Sequence, residues 1–85
     1  NSTAYADLFE KRGDAQLEQK KLEQTIQSYK QCEELCRMYS YYERWTSVLE
    51  KQRDMFARAQ MTRERQDAES ALRAVSQQQS EDARQ

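Results

Sequence analysis

The 85-residue chain contains no proline and a single glycine, Gly13. Turns of β-rich folds draw on Gly and Pro to reach their special dihedrals. A chain with almost neither is steered toward long helices. The rest of the sequence agrees. Gln, Glu, Lys, Arg, Ala, Leu and Met dominate, and these lose little side-chain freedom in a helix.

Helices must still bury something. Leu, Ile, Val and Phe together supply 11 of the 85 residues. So few aliphatic groups cannot fill a broad core in a domain this small. Disorder of such a chain would go with high net charge and few aromatics. Here 14 basic residues face 15 acidic ones, and five Tyr, one Trp and two Phe are present. The expectation is all-α: long amphipathic helices forming a coiled coil or an antiparallel helical hairpin, each burying a narrow stripe.

The same counts narrow the chemistry. There is no histidine, so a His base and any His-ligated zinc or haem are excluded. One glycine cannot build a phosphate-cradling loop. No apolar run approaches the ~20 residues of a membrane span. The carboxylates have no recognisable buried partner to set up acid–base work. The expectation is a non-enzymatic chain with no cofactor, and small molecules are not expected as ligands. The chain starts at Asn1 without a leader pattern and holds two cysteines. The expected compartment is therefore reducing and cytoplasmic.

Along the chain, Ser2 or Thr3 is placed to cap a first helix near Ala4. Gly13-Asp14 reads either as a helix end with a new cap or as a tolerated glycine inside a helix. From Leu22 to Ala59 an apolar stripe runs at spacings of three and four. It includes Leu22, Ile26, Tyr29, Cys32, Cys36, Tyr39, Leu49 and Phe56 as the helix seam. A coiled coil alternates three and four. Extra threes accumulate through Cys36, Tyr39, Tyr42 and Trp45, the mark of a stammer. Capping-box patterns at Ser40–Glu43 and Ser47–Glu50 fall in the same stretch. Residues 1–76 thus read as one elongated helical segment, either continuous or bent at 38–47. Residues 77–85, within the low-complexity run from Ser76, read as a disordered tail.

Three groups of residues could carry function. Tyr41, Tyr42, Arg44 and Trp45 combine the residue types that dominate protein contact hot spots. The alternative is that their rings fill a helix seam or wrap a bend. Cys32 and Cys36 sit four apart on one helical face. Two thiols without histidine cannot complete a zinc site alone, and small buried seam residues are the simpler reading. Arg53, Arg58, Arg63 and Arg65 form an arginine-rich stretch that could meet phosphate. Acidic residues interleave with it and the net charge is −1. A nucleic-acid domain would show a basic excess, so nucleic acid is not the expected partner. The membrane is left open.

Two resemblances follow from these segments. Tyr42-Glu43-Arg44-Trp45, then Glu50-Lys51-Gln52-Arg53 and MTRERQDAES, resemble the coiled-coil stalk proteins of flagellar and type III secretion export ATPases. The resemblance implies an antiparallel two-helix rod serving as a stalk or adaptor in a secretion apparatus. The same Tyr/Trp/Arg stretch is similar to the helical BAR domains of sorting nexins, which implies a dimeric membrane-associated module. The expected function is protein–protein interaction or scaffolding through a helical seam, by self-association or with a protein partner. The alternative is a BAR-type or nucleic-acid-binding helical module.

Overall fold

The computed structural model describes residues 1–84. It contains four helices: α1 (Ser2–Glu18), α2 (Leu22–Tyr39), α3 (Tyr42–Arg58) and α4 (Thr62–Ala83). The chain is all-α, as its composition requires. It divides into two compact units, Asn1–Tyr41 and Tyr42–Gln85. Within the first, α1 packs on α2; within the second, α3 packs on α4. Each unit is an antiparallel helical hairpin.

Three residues end the helices that precede them, and none is glycine. Lys20, Ser40 and Gln60 have φ values of 62°, 58° and 59°. This left-handed conformation costs an L-residue about 1–2 kcal/mol. The bonds it permits are those of a helix C-terminal cap. The Lys20 amide donates to the Leu17 carbonyl and the Lys21 amide to the Gln16 carbonyl, both at 2.9 Å. The Gln60 amide donates to Ala57 at 3.2 Å and the Met61 amide to Phe56 at 2.9 Å. At Ser40 the following amide, that of Tyr41, reaches the Cys36 carbonyl at 2.9 Å. Paired bonds of this kind satisfy carbonyls that a helix end would leave open.

These turns correct the sequence reading in three places. The continuous-rod alternative fails, because the chain breaks at Lys20, Ser40 and Gln60. Only the middle break falls in the expected 38–47 window. The capping boxes do not carry it: Ser40 is left-handed and closes α2, and Ser47 lies inside α3. The single Leu22–Ala59 stripe is two stripes on two helices, α2 facing α1 and α3 facing α4. At the C-terminus, α4 continues to Ala83, past Ser76 where the polar run was expected to fray.

Gly13 is not punctuation either. It lies inside α1 and is buried. A Cβ built there would overlap the Tyr29 ring of α2. The glycine lets the tyrosine lie against the α1 backbone. The next residue completes the site: the Tyr29 hydroxyl donates to Asp14 Oδ1 at 2.6 Å. From the residue before Tyr29, the Ser28 hydroxyl donates to Gln16 Oε1 at 2.6 Å. Cys32, Cys36 and Thr25 are fully buried beside Tyr29 on α2, and Ala6 is fully buried on α1.

The second hairpin buries Trp45, Val48, Leu49, Gln52, Met55 and Phe56 from α3, and Ala68 and Val75 from α4. Gln52 is fully buried, and neither of its amide atoms has a hydrogen-bond partner. Each such orphaned group costs about 1–3 kcal/mol.

Each hairpin is latched at its open end by a tyrosine hydroxyl. In the first, the N-cap is Asn1, whose side chain accepts from the Ala4 amide at 2.9 Å. Ser2 and Thr3, expected as caps, instead bind the Tyr41 hydroxyl at 2.7 and 3.1 Å. In the second, the Tyr42 hydroxyl of α3 donates to Asp82 of α4.

Candidate functional site

The expected contact cluster of Tyr41, Tyr42, Arg44 and Trp45 is divided between the two units. Tyr41 closes the first hairpin. Its ring stacks on Tyr39 with centroids 5.7 Å apart. Hydrogen bonds from Ser2 and Thr3 hold its phenol below the usual tyrosine range. Tyr42 opens α3, and its ring lies nearly parallel to Trp45 with centroids 6.4 Å apart. Trp45 is only 8% exposed, and its indole Nε1 has no partner. Tyr41, Tyr42 and Arg44 are half-buried. Two of the four side chains thus carry the latches of their hairpins.

The residues expected in the seam separate as well. Tyr29, Cys32, Cys36, Leu49 and Phe56 are buried. Leu22 and Ile26 are half-buried. Tyr39 is 50% exposed, which corrects its placement in the seam. It is the last residue of α2, and its ring stacks on Tyr41.

The surface that stands out was not singled out from the sequence. Among the described residues, Tyr5, Leu8, Met38 and Tyr39 are the exposed large apolar side chains, and all four belong to the first hairpin. Tyr5 and Leu8 lie on α1, with Phe9 half-buried next to them. The Arg12 guanidinium sits over the Phe9 ring, 5.5 Å from its centroid. A cation over a ring face adds a modest electrostatic attraction.

Other candidates resolve more simply. Cys32 and Cys36 form no disulfide and are buried. Among the described residues, no group of three or more Cys, Asp or Glu side chains could hold a metal ion. In the arginine stretch, Arg53 pairs with Asp54 at 3.1 Å and Arg65 with Glu69 at 3.2 Å. Arg58 and Arg63 are exposed. Among the described residues, no helix is long and apolar enough to cross a membrane.

A signal for the two-hairpin organisation is present in the sequence. Leu8-Phe9-Glu10-Lys11 and Asp14 recur forty positions later as Val48-Leu49-Glu50-Lys51 and Asp54. The left-handed turns at Lys20 and Gln60 keep the same spacing. These observations define the chain as a tandem pair of helix–turn–helix hairpins. Comparison with family models, with curated proteins and with solved structures finds no match to it.

Proposed function

We propose that the chain is a non-enzymatic protein-interaction module built from repeated helical hairpins, with the first hairpin carrying the contact surface. The observation that carries this reading is the exposure of Tyr5, Leu8, Met38 and Tyr39. A chain so poor in large apolar residues gains stability by burying them. Four of them left exposed on one unit support a reading in which that unit meets a partner. Tandem helical hairpins are also the building unit of repeat scaffolds that bind proteins.

The electrostatics support a protein over a phosphate-bearing partner. Residues 1–42 hold 6 basic and 7 acidic side chains, and residues 43–85 hold 8 of each. Two of the arginines first considered for phosphate are paired with carboxylates. The stalk-protein resemblance implies a two-helix rod, whereas the four helices here form two hairpins. The proposal therefore rests on the exposed surface and not on that resemblance.

The test is photo-crosslinking from a benzophenone side chain placed at Tyr39 or, as a control, at Arg63, in an extract of the source cells. Protein adducts from position 39 that persist in ~0.5 M salt support the reading, because phosphate-driven binding weakens steeply with salt. Adducts formed equally from position 63, or lost at high salt, would overturn it.

A further inference from the structure

The open end of the second hairpin is held differently from the rest of it. Val75 is the last buried side chain of α4. Every side chain from Ser76 to Ala83 is exposed. About two turns of helix therefore run past the packed seam with no buried side chain to hold them. Gln77 and Glu81 bond each other along α4 at 3.4 Å, not across the seam. A segment with so few buried contacts opens at little cost. What ties this end of α4 to α3 is the solvent-exposed hydrogen bond from the Tyr42 hydroxyl to Asp82.

The surroundings of that bond are negative. Asp82 follows Glu81 in the last turn of α4, and that turn has no basic residue. The carboxyl end of a helix also carries the negative pole of its dipole. On the other side, Glu43 follows Tyr42 in the first turn of α3. The cations nearest in sequence, Arg44 and Arg84, each lie two positions from a residue of the bond. Residues so spaced do not face each other on a helix. The phenol proton is what allows the Tyr42 oxygen to sit against a carboxylate here.

We infer that Tyr42 is a modification site at which a phosphoryl group releases the last two turns of α4. The phenol oxygen takes the terminal phosphoryl group of a nucleoside triphosphate. The bond from that phosphorus to the diphosphate breaks, and the phenol proton leaves to a base of the kinase. The hydroxyl donor is then gone, and an anion of about −1.5 to −2 charges stands in its place. Beside a carboxylate and at a helix carboxyl end, such a group acts by repulsion. The Tyr42 ring, which lies nearly parallel to Trp45 at 6.4 Å, is drawn off the indole as the bond opens.

The neighbouring tyrosine lacks this property. The Tyr41 hydroxyl meets the hydroxyls of Ser2 and Thr3 at the amino end of α1, where negative charge is favoured. Of two adjacent tyrosines, only the second sets an added anion against a carboxylate. The inference concerns the second hairpin and does not depend on the contact surface of the first.

The experiment compares the 85-residue chain with the same chain carrying phosphotyrosine at position 42, with amide hydrogen exchange read residue by residue. Exchange at residues 78–83 should be about ten-fold faster in the phosphorylated chain, since a hydrogen bond is lost and a repulsion added. Residues 65–72, which precede Val75, should exchange as before. Asp82→Lys in the phosphorylated chain should reverse the rise, because the phosphate then faces a cation. Unchanged exchange at 78–83 would overturn the inference, and so would a rise that persists with lysine at 82. Access is tested on the unmodified folded chain with a broad-specificity tyrosine kinase domain and magnesium ATP. Phosphate should enter at Tyr42 and not at buried Tyr29. A chain phosphorylated at Tyr5 and Tyr39 but never at Tyr42 would overturn the assignment of the site.

Discussion

Tyr29 concentrates several of the chain's constraints in one side chain. Its ring takes the space that Gly13 leaves, and its hydroxyl is held by Asp14. Gly13→Ala should therefore lose stability, although alanine is the better helix former by about 1 kcal/mol. Overlap with the ring forces a shift of the kind that costs about 1–3 kcal/mol in packed interiors. A lower urea midpoint at unchanged slope is the expected result; a higher one would show that propensity outweighs the contact. The hydroxyl makes a second prediction. Burial, then the hydrogen bond to Asp14, then the charges of Asp14 and Glu10, push the Tyr29 phenol well above its usual value of 10. The folded chain thus holds a proton that the unfolded chain releases near pH 10. By linkage, the contribution of this group is constant below pH 10 and is lost as pH rises above it. Denaturation midpoints taken from neutral pH into the strongly alkaline range should fall, and Tyr29→Phe should flatten that fall. An equally steep fall in the variant would assign it to other groups.

The turns are where the elements are decided. Lys20, Ser40 and Gln60 each adopt a conformation that glycine reaches without a Cβ penalty. Gln60→Gly should stabilise the second hairpin by about 0.5–1 kcal/mol, the relief of left-handed strain less the extra freedom of the unfolded chain. Gln60→Val should destabilise it, because a β-branched side chain fits this region poorly. Thermal melting of the two variants checks the pair, and a stabilising valine would refute the account of the turn. These residues also explain what could be read in advance. Helix was legible from the lack of Pro and Gly. Tyr29, Cys32, Cys36, Leu49 and Phe56 were legible as buried from their spacing. The breaks at Lys20 and Gln60 were not, because a lysine or glutamine in a left-handed cap carries no compositional mark. Gly13, the residue that looked like a break, serves packing inside α1.

For the chain as a whole, the exposed apolar side chains of the first hairpin were hidden by the same circumstance. With the breaks unplaced, spacing alone does not set Tyr5 and Leu8 apart, and their exposure beside buried Trp45 and Val48 emerges only from the structure. Aromatic residues crowd between Tyr39 and Trp45. Density there serves two latches, Tyr41 with Ser2 and Thr3, and Tyr42 with Asp82. The hairpin organisation also bears on how the chain folds. Each unit pairs helices joined by the short turns at Lys20 or Gln60, so helix pairing closes short loops. Local topologies of this kind fold in about microseconds to milliseconds. The sequence contains no proline, so the slow phase of tens of seconds that prolyl isomerisation imposes has no source here. Trp45 reports on the second hairpin, where it is buried against solvent. Its fluorescence after rapid dilution from urea should recover fully within milliseconds, with the same amplitude however long the chain has been unfolded. A phase lasting seconds would mean that folding waits on a non-local step, and would count against hairpins that form from their own local contacts.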